Sequence, residues 1–279
     1  MILFPFLSAL GGAAGVIIDK IALARKKIPL DVFQTFLFLF LCFFTAIFVP
    51  FLGKINFSLA FSNIYLLIFV MMIATAIVWN IFYYKGLQKE KLYEFELIIT
   101  LTPLMTIFLA SLFLPEERNW TIISASIIAS LALIFAHIRR NHLVFNQYSL
   151  GLIICIFLIS LEMIFQKLLL KVYSPISLYF FRTLIIFIFF LIFYRPKISK
   201  VSLKGYGLII ASAAAGVMQM VLKFYGFSEF GIVYTTLILT LSPILIYFAS
   251  FFIFKERLAK RTIVAAIIIL ACIVWASFK

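Results

Sequence analysis

Glu162 and Arg182 are ionisable residues set deep in apolar sequence, Glu162 within the run 149–170 and Arg182 within 176–194. Carrying a charge to the middle of a bilayer costs about 2.5–3.5 kcal/mol on insertion scales, so such residues are retained with a partner or a purpose. At about 1.5 Å of rise per residue, on antiparallel helices, the two fall at similar depth and are expected to pair. One consequence is a lock between two helices. The other is a site in which Glu162 carries a coupling ion, a proton or sodium, or meets a cationic group, with Gln166 one turn further along the same face.

Other polar residues cluster around the same apolar runs. Trp79, Asn80 and Tyr83 lie late in one helix, and Gln219 lies in the corresponding part of another. Aromatic residues near span ends form an interfacial belt or clamp a solute, and a buried amide bonds a neighbouring helix or the solute. Glu94 and Glu96 open a further helix, where they complement its dipole. Their separation of about 200° around the axis lets only one face a cavity. Lys20, Lys167 and Lys223 lie towards span ends, where snorkelling is the default. No phosphate-binding Gly-rich loop and no HExxH stand in the chain, and His137 and His142 flank one basic loop. Neither cofactor, metal nor catalytic residue is expected.

The elements that must hold these residues are membrane helices. Hydrophobic residues make up 66% of the chain and charged residues 12%, far from the soluble norm of about half and a quarter. Backbone in lipid must satisfy its own polar groups, and unbroken apolar runs near twenty residues do so as helices. The sequence predicts ten: 3–23, 32–52, 63–84, 92–114, 119–138, 149–170, 176–194, 205–226, 232–254 and 262–278.

LIITLTPLMTIFLASLFLPE, from Leu97, returns as LILTLSPILIYFASFFIFKE, from Leu237, in one ungapped register that pairs Pro103 with Pro243 and Glu116 with Glu256. The chain is therefore expected to be all-α and polytopic, two five-helix repeats over 1–140 and 141–279. An odd number of helices per repeat inverts the second half relative to the first and puts a site between them at the midplane. Pro103 and Pro243 each leave a carbonyl four residues earlier without its partner, so each is a candidate hinge or packing kink.

The net charge of +14 reflects Lys and Arg clustered between apolar runs, which positive-inside anchoring explains without nucleic acid. Most lie in loops after odd-numbered helices, whereas Lys54, Arg118, Lys171 and Lys279 face the other side. That bias places both termini outside a cytoplasmic membrane.

Five-helix repeats with an L-[ST]-P start to the fourth helix and a Glu just after it resemble the EamA-type members of the drug/metabolite transporter superfamily. Lys20 and Lys167, late in the first helix of each repeat, and Arg182, in the second helix of the second repeat, fit the resemblance; the first repeat lacks that Arg and has Gln34 nearby. The resemblance implies small organic solutes and a central cavity lined by the first, third and fourth helices of each repeat, with the fifth and tenth peripheral. It also implies cytoplasmic termini, against the charge bias. The expected function is that of a secondary transporter or facilitator for a small organic metabolite, with an amino acid or related zwitterion as a candidate suited to paired charges. A lipid-modifying intramembrane enzyme and a non-transporting scaffold are the alternatives; a homodimer is compatible with the sequence.

Overall fold

The computed structural model describes residues 3–90, 95, 98–137, 147–197, 201–254 and 260–278. Its helices are α1 (Leu3–Lys20, continued by a π turn Ile21–Arg25), α2 (Leu30–Leu52), α3 (Asn63–Lys89), α4 (Thr102–Phe113), α5 (Trp120–His137), α6 (Gln147–Leu169), α7 (Pro175–Tyr194), α8 (Leu203–Phe230), α9 (Ile232–Leu239), α10 (Leu241–Phe254) and α11 (Lys260–Ser277). Among the described residues, extended pairing is limited to one antiparallel bridge between Ile55 and Tyr173. Six helical segments are long and apolar enough to cross a membrane: Leu3–Arg25, Leu30–Leu52, Asn63–Lys89, Leu150–Leu169, Pro175–Tyr194 and Leu203–Phe230. Four shorter apolar helices accompany them, Thr102–Phe113, Trp120–Phe135, Ile232–Ile246 and Ile263–Ser277.

Helix ends follow local chemistry. Ser174 caps α7 by accepting from the Ser177 amide, and Ser202 caps α8 by accepting from Gly205. Asn119 does the same for α5 through the amides of Thr121 and Ile122. These side chains satisfy amides that a helix start otherwise leaves open. At two C-termini a lysine replaces water. Lys20 Nζ donates to the carbonyls of Leu87 and Glu90 at the end of α3, and Lys167 Nζ donates to Phe227 near the end of α8. A cation at the negative end of a helix dipole is favourable there. Two of the three lysines expected to snorkel, Lys20 and Lys167, therefore anchor helix ends instead.

The most extensive packing joins α1 with α8, α3 with α6, α2 with α7, and α5 with α11. Close approach of α1 and α8 depends on small residues. A Cβ at Gly11 would stand 3.0 Å from the Gln219 backbone nitrogen and 3.1 Å from the Ala215 carbonyl oxygen, so a larger residue would push the two backbones apart by a few tenths of an ångström.

The sequence predicts unbroken helices over 92–114 and 232–254, and the structure corrects both. A turn at Thr100 and Leu101 precedes α4, which begins at Thr102, and α9 ends at Leu239 before α10 restarts at Leu241. The breaks fall two to three residues before Pro103 and Pro243, where the missing amide and the proline ring exclude a continuous hydrogen-bond ladder. Thr240 partly compensates: its hydroxyl donates to the Leu237 carbonyl at 2.6 Å.

Candidate solute cavity

A cavity of about 250 Å³ opens where the two broken helices meet α1, α3, α6 and α8. It is small beside the roughly 300–1,000 Å³ of pockets that hold drug-sized ligands, a size fitting a metabolite. Helices α2 and α7 also contribute to the wall, through residues such as Phe38 and Arg182; α5 and α11 contribute none. The arrangement matches the expected first, third and fourth helices of each repeat and adds the second.

Glu162 and Arg182 meet in the wall, each 2% exposed. Arg182 Nε donates to Glu162 Oε1 at 2.6 Å, and Nη2 donates to Oε2 at 3.3 Å. Gln166 Nε2 adds a bond to Oε1 at 2.8 Å and Trp79 Nε1 one to Oε2 at 2.5 Å. The guanidinium also lies 5.8 Å from the centre of the Trp79 ring, a cation–π geometry. Glu162 thus has four donors on two oxygens, which neutralises the cost of its burial. The two charges of the pair are matched to each other inside the wall.

Trp79 and Tyr83 line the cavity and pack edge to face with ring centres 5.8 Å apart, while Tyr83 meets Phe95 at 5.0 Å. Both side chains are part of the cavity lining. Asn80 also lines it, but its side-chain nitrogen donates to Ala76 of its own helix at 2.7 Å, and its carbonyl accepts from Gln34 at 2.9 Å. Gln219 stands on the α8 wall facing Gly12. Ile99, Pro103, Leu239 and Pro243 put both helix breaks in the lining. Glu94 and Glu96 lie outside the described residues.

Two further charged lining residues were not read as cavity groups from the sequence. Asp19, on α1, accepts a hydrogen bond from the Ser212 hydroxyl of α8 and is buried. Lys223 lines the cavity from α8 and is 5% exposed. Asp19 stands beside the basic end of its run, where charges are ordinary, and Lys223 was assigned to a span end. The available signal for Asp19 was an acidic residue still inside an apolar helix, the same criterion that found Glu162. Thr102 and Thr236 add buried hydroxyls that have no hydrogen-bond partner among the described residues, and both line the cavity.

Long apolar helices around a small, mostly apolar cavity with a few polar groups in its wall define a multi-pass membrane protein. Residues 147–278 match the sequence profile of the EamA-like transporter family. That stretch is just under half of the chain, and the family it resembles is one of membrane transporters of small molecules within the drug/metabolite transporter superfamily. No curated protein matches the chain as a relative. A solved crystal structure of another protein aligns over 97% of this chain and 96% of its own, with a TM-score of 0.69 at 16% identity. At that identity the likeness shows the fold alone.

Proposed function

We propose that the protein is a secondary transporter or facilitator moving a small organic metabolite by alternating access between two inverted five-helix repeats, 1–140 and 141–279. The observation that carries it is the cavity wall: two helices that break just before Pro103 and Pro243 face one cavity with polar groups in its wall. A broken helix supplies unpaired backbone groups where lipid is excluded and a joint about which a half can rock. The pairing of helices supports the repeat: exchanging the halves maps α1–α8 onto α6–α3 and returns α2–α7 to itself. Six helical segments long enough to cross a membrane and four shorter apolar ones support the ten spans the repeat requires. An intramembrane enzyme would need catalytic groups free to react, and Glu162 is engaged on both oxygens.

Reconstituted protein should exchange a labelled solute from a metabolite mixture across vesicle walls in a saturable way. Gly12→Leu should reduce that exchange at least ~10-fold, because even its Cβ would stand 2.9 Å from the Gln219 side-chain nitrogen and 3.2 Å from the Ser242 hydroxyl. Ten-fold corresponds to about 1.4 kcal/mol. Unchanged exchange by a folded Gly12→Leu protein would place the route elsewhere.

The charge bias supports both termini outside a cytoplasmic membrane. An N-terminal epitope should then be removed by protease added to intact cells; protection of that epitope, with an external control cleaved, would reverse the orientation.

A further inference from the structure

The three lysines of the spans differ in what holds them, and of the three only Lys223 is fully buried. Lys20 and Lys167 each bond carbonyls at the end of a neighbouring helix. Lys223 has no hydrogen bond or salt bridge to a described residue; its ammonium instead sits 5.6 Å from the ring centres of Phe224 and Phe227. It stands seven residues before the end of α8, about 10 Å along the axis, and the nearest free carbonyl there, that of Phe227, is taken by Lys167. Glu162, the acidic group whose field reaches it, is saturated by Arg182, Gln166 and Trp79. A buried cation with no hydrogen bond or salt bridge of its own to a described residue, and with the Arg182 charge also acting on it, is costly unless something occupies the space before it. That space is the cavity.

From this geometry we infer that Lys223 is the anion-binding group of the cavity, and that the solute is a compact organic anion with an apolar, ring-sized body. The inference rests on the transport reading above. The body follows from the walls: Phe38, Trp79, Tyr83 and Tyr179 surround a space of about 250 Å³, and the unpartnered hydroxyls of Thr102 and Thr236 supply neutral donors.

An α-amino acid fits less well. Its ammonium lies only about 3 Å from its carboxylate. Asp19, the acidic group with spare acceptor capacity, is bonded to Ser212, eleven residues before Lys223 on nearly the same face of α8 and about 16 Å away along the axis. One amino acid cannot bridge them.

The test uses the full-length protein in detergent and in vesicles at fixed ionic strength, with four probes of one ring size: benzoate, phenylphosphonate, benzamide and benzylamine. Benzoate or phenylphosphonate should raise the melting temperature in a saturable manner, the better of the two distinguishing carboxylate from phosphate-like solutes, while benzamide and benzylamine should not. Lys223→Arg should keep the shift. Lys223→Met should weaken anion affinity at least ~10-fold and, by removing an unpaired buried charge, melt higher than the parent without ligand.

Equal stabilisation by benzamide, no response to either anion, or an anion response that survives Lys223→Met would overturn the assignment. Flux separates this failure from failure of the transport reading. Saturable exchange of a neutral or cationic solute, undiminished in Lys223→Met, leaves a transporter without an anion subsite. Absence of exchange for every solute, with anion binding still dependent on Lys223, leaves an anion site in a protein that does not transport.

Discussion

Arg182→Met is expected to destabilise the protein by about 3–5 kcal/mol, the cost of leaving a buried carboxylate without its charge partner. Glu162 is 2% exposed, and Arg182 supplies two of its four hydrogen bonds, at 2.6 and 3.3 Å. The remaining donors, Trp79 and Gln166, are neutral and cannot offset a full charge at that depth. Adding Glu162→Gln to Arg182→Met should recover most of the loss. A glutamine oxygen still accepts from Trp79, no unpaired charge remains, and a buried ion pair is worth little more than a well-packed neutral replacement. Reversible unfolding in mixed micelles measures all three proteins. Equal stability of the single variant and the parent would mean that the pair contributes nothing as a lock. If the double variant is stable but no longer exchanges solute, the pair serves transport beyond holding α6 to α7.

The same pair illustrates what the sequence could disclose. Insertion cost singled out Glu162 and Arg182, and helical rise placed them at one depth, because both quantities depend only on position along a helix. Membrane class followed from composition for a similar reason. The helix breaks were half legible: prolines marked them, yet the ends of α9 and α4 depend on which carbonyls the surrounding helices can satisfy. Asp19 and Lys223 were obscured because sequence gives distance along the chain and not the tilt of a helix. A residue near the end of an apolar run can still be turned into the centre. Nor could sequence reveal that Glu162 is already saturated, since Trp79 reaches it from α3.

A second case separates recurrence in sequence from work in the fold. Glu116 recurs as Glu256, whereas its neighbour Glu117 attracts no notice in the sequence. In the structure Glu116 pairs with Lys171 at 3.7 Å, both side chains about half exposed. Exposed pairs of this kind are worth about 0–1 kcal/mol.

Glu117 is buried and joins three elements. Its Oε1 accepts from the Ile232 amide at 2.9 Å and its Oε2 from Val233 at 3.2 Å, capping α9 from a turn that follows α4. Lys167 of α6 approaches Oε1 at 3.6 Å while bonding Phe227 of α8. Gly231 makes this approach possible: its φ of 84° disfavours other residues, and a Cβ there would stand 2.5 Å from Glu117 Oε2.

Glu117→Gln is therefore expected to cost about 2–4 kcal/mol. The amide has one accepting oxygen in place of two, its NH2 faces a donor, and the charge that opposed the helix dipole and Lys167 is gone. Glu116→Gln should change stability by less than about 1 kcal/mol. Unfolding of the two variants side by side decides the matter. Equal losses would mean that the cap on α9 is replaceable by water. The expected inequality would make the non-recurring residue the tie between the end of α4 and the start of α9, so any rocking of the two broken helices must carry Glu117 along or break its bonds.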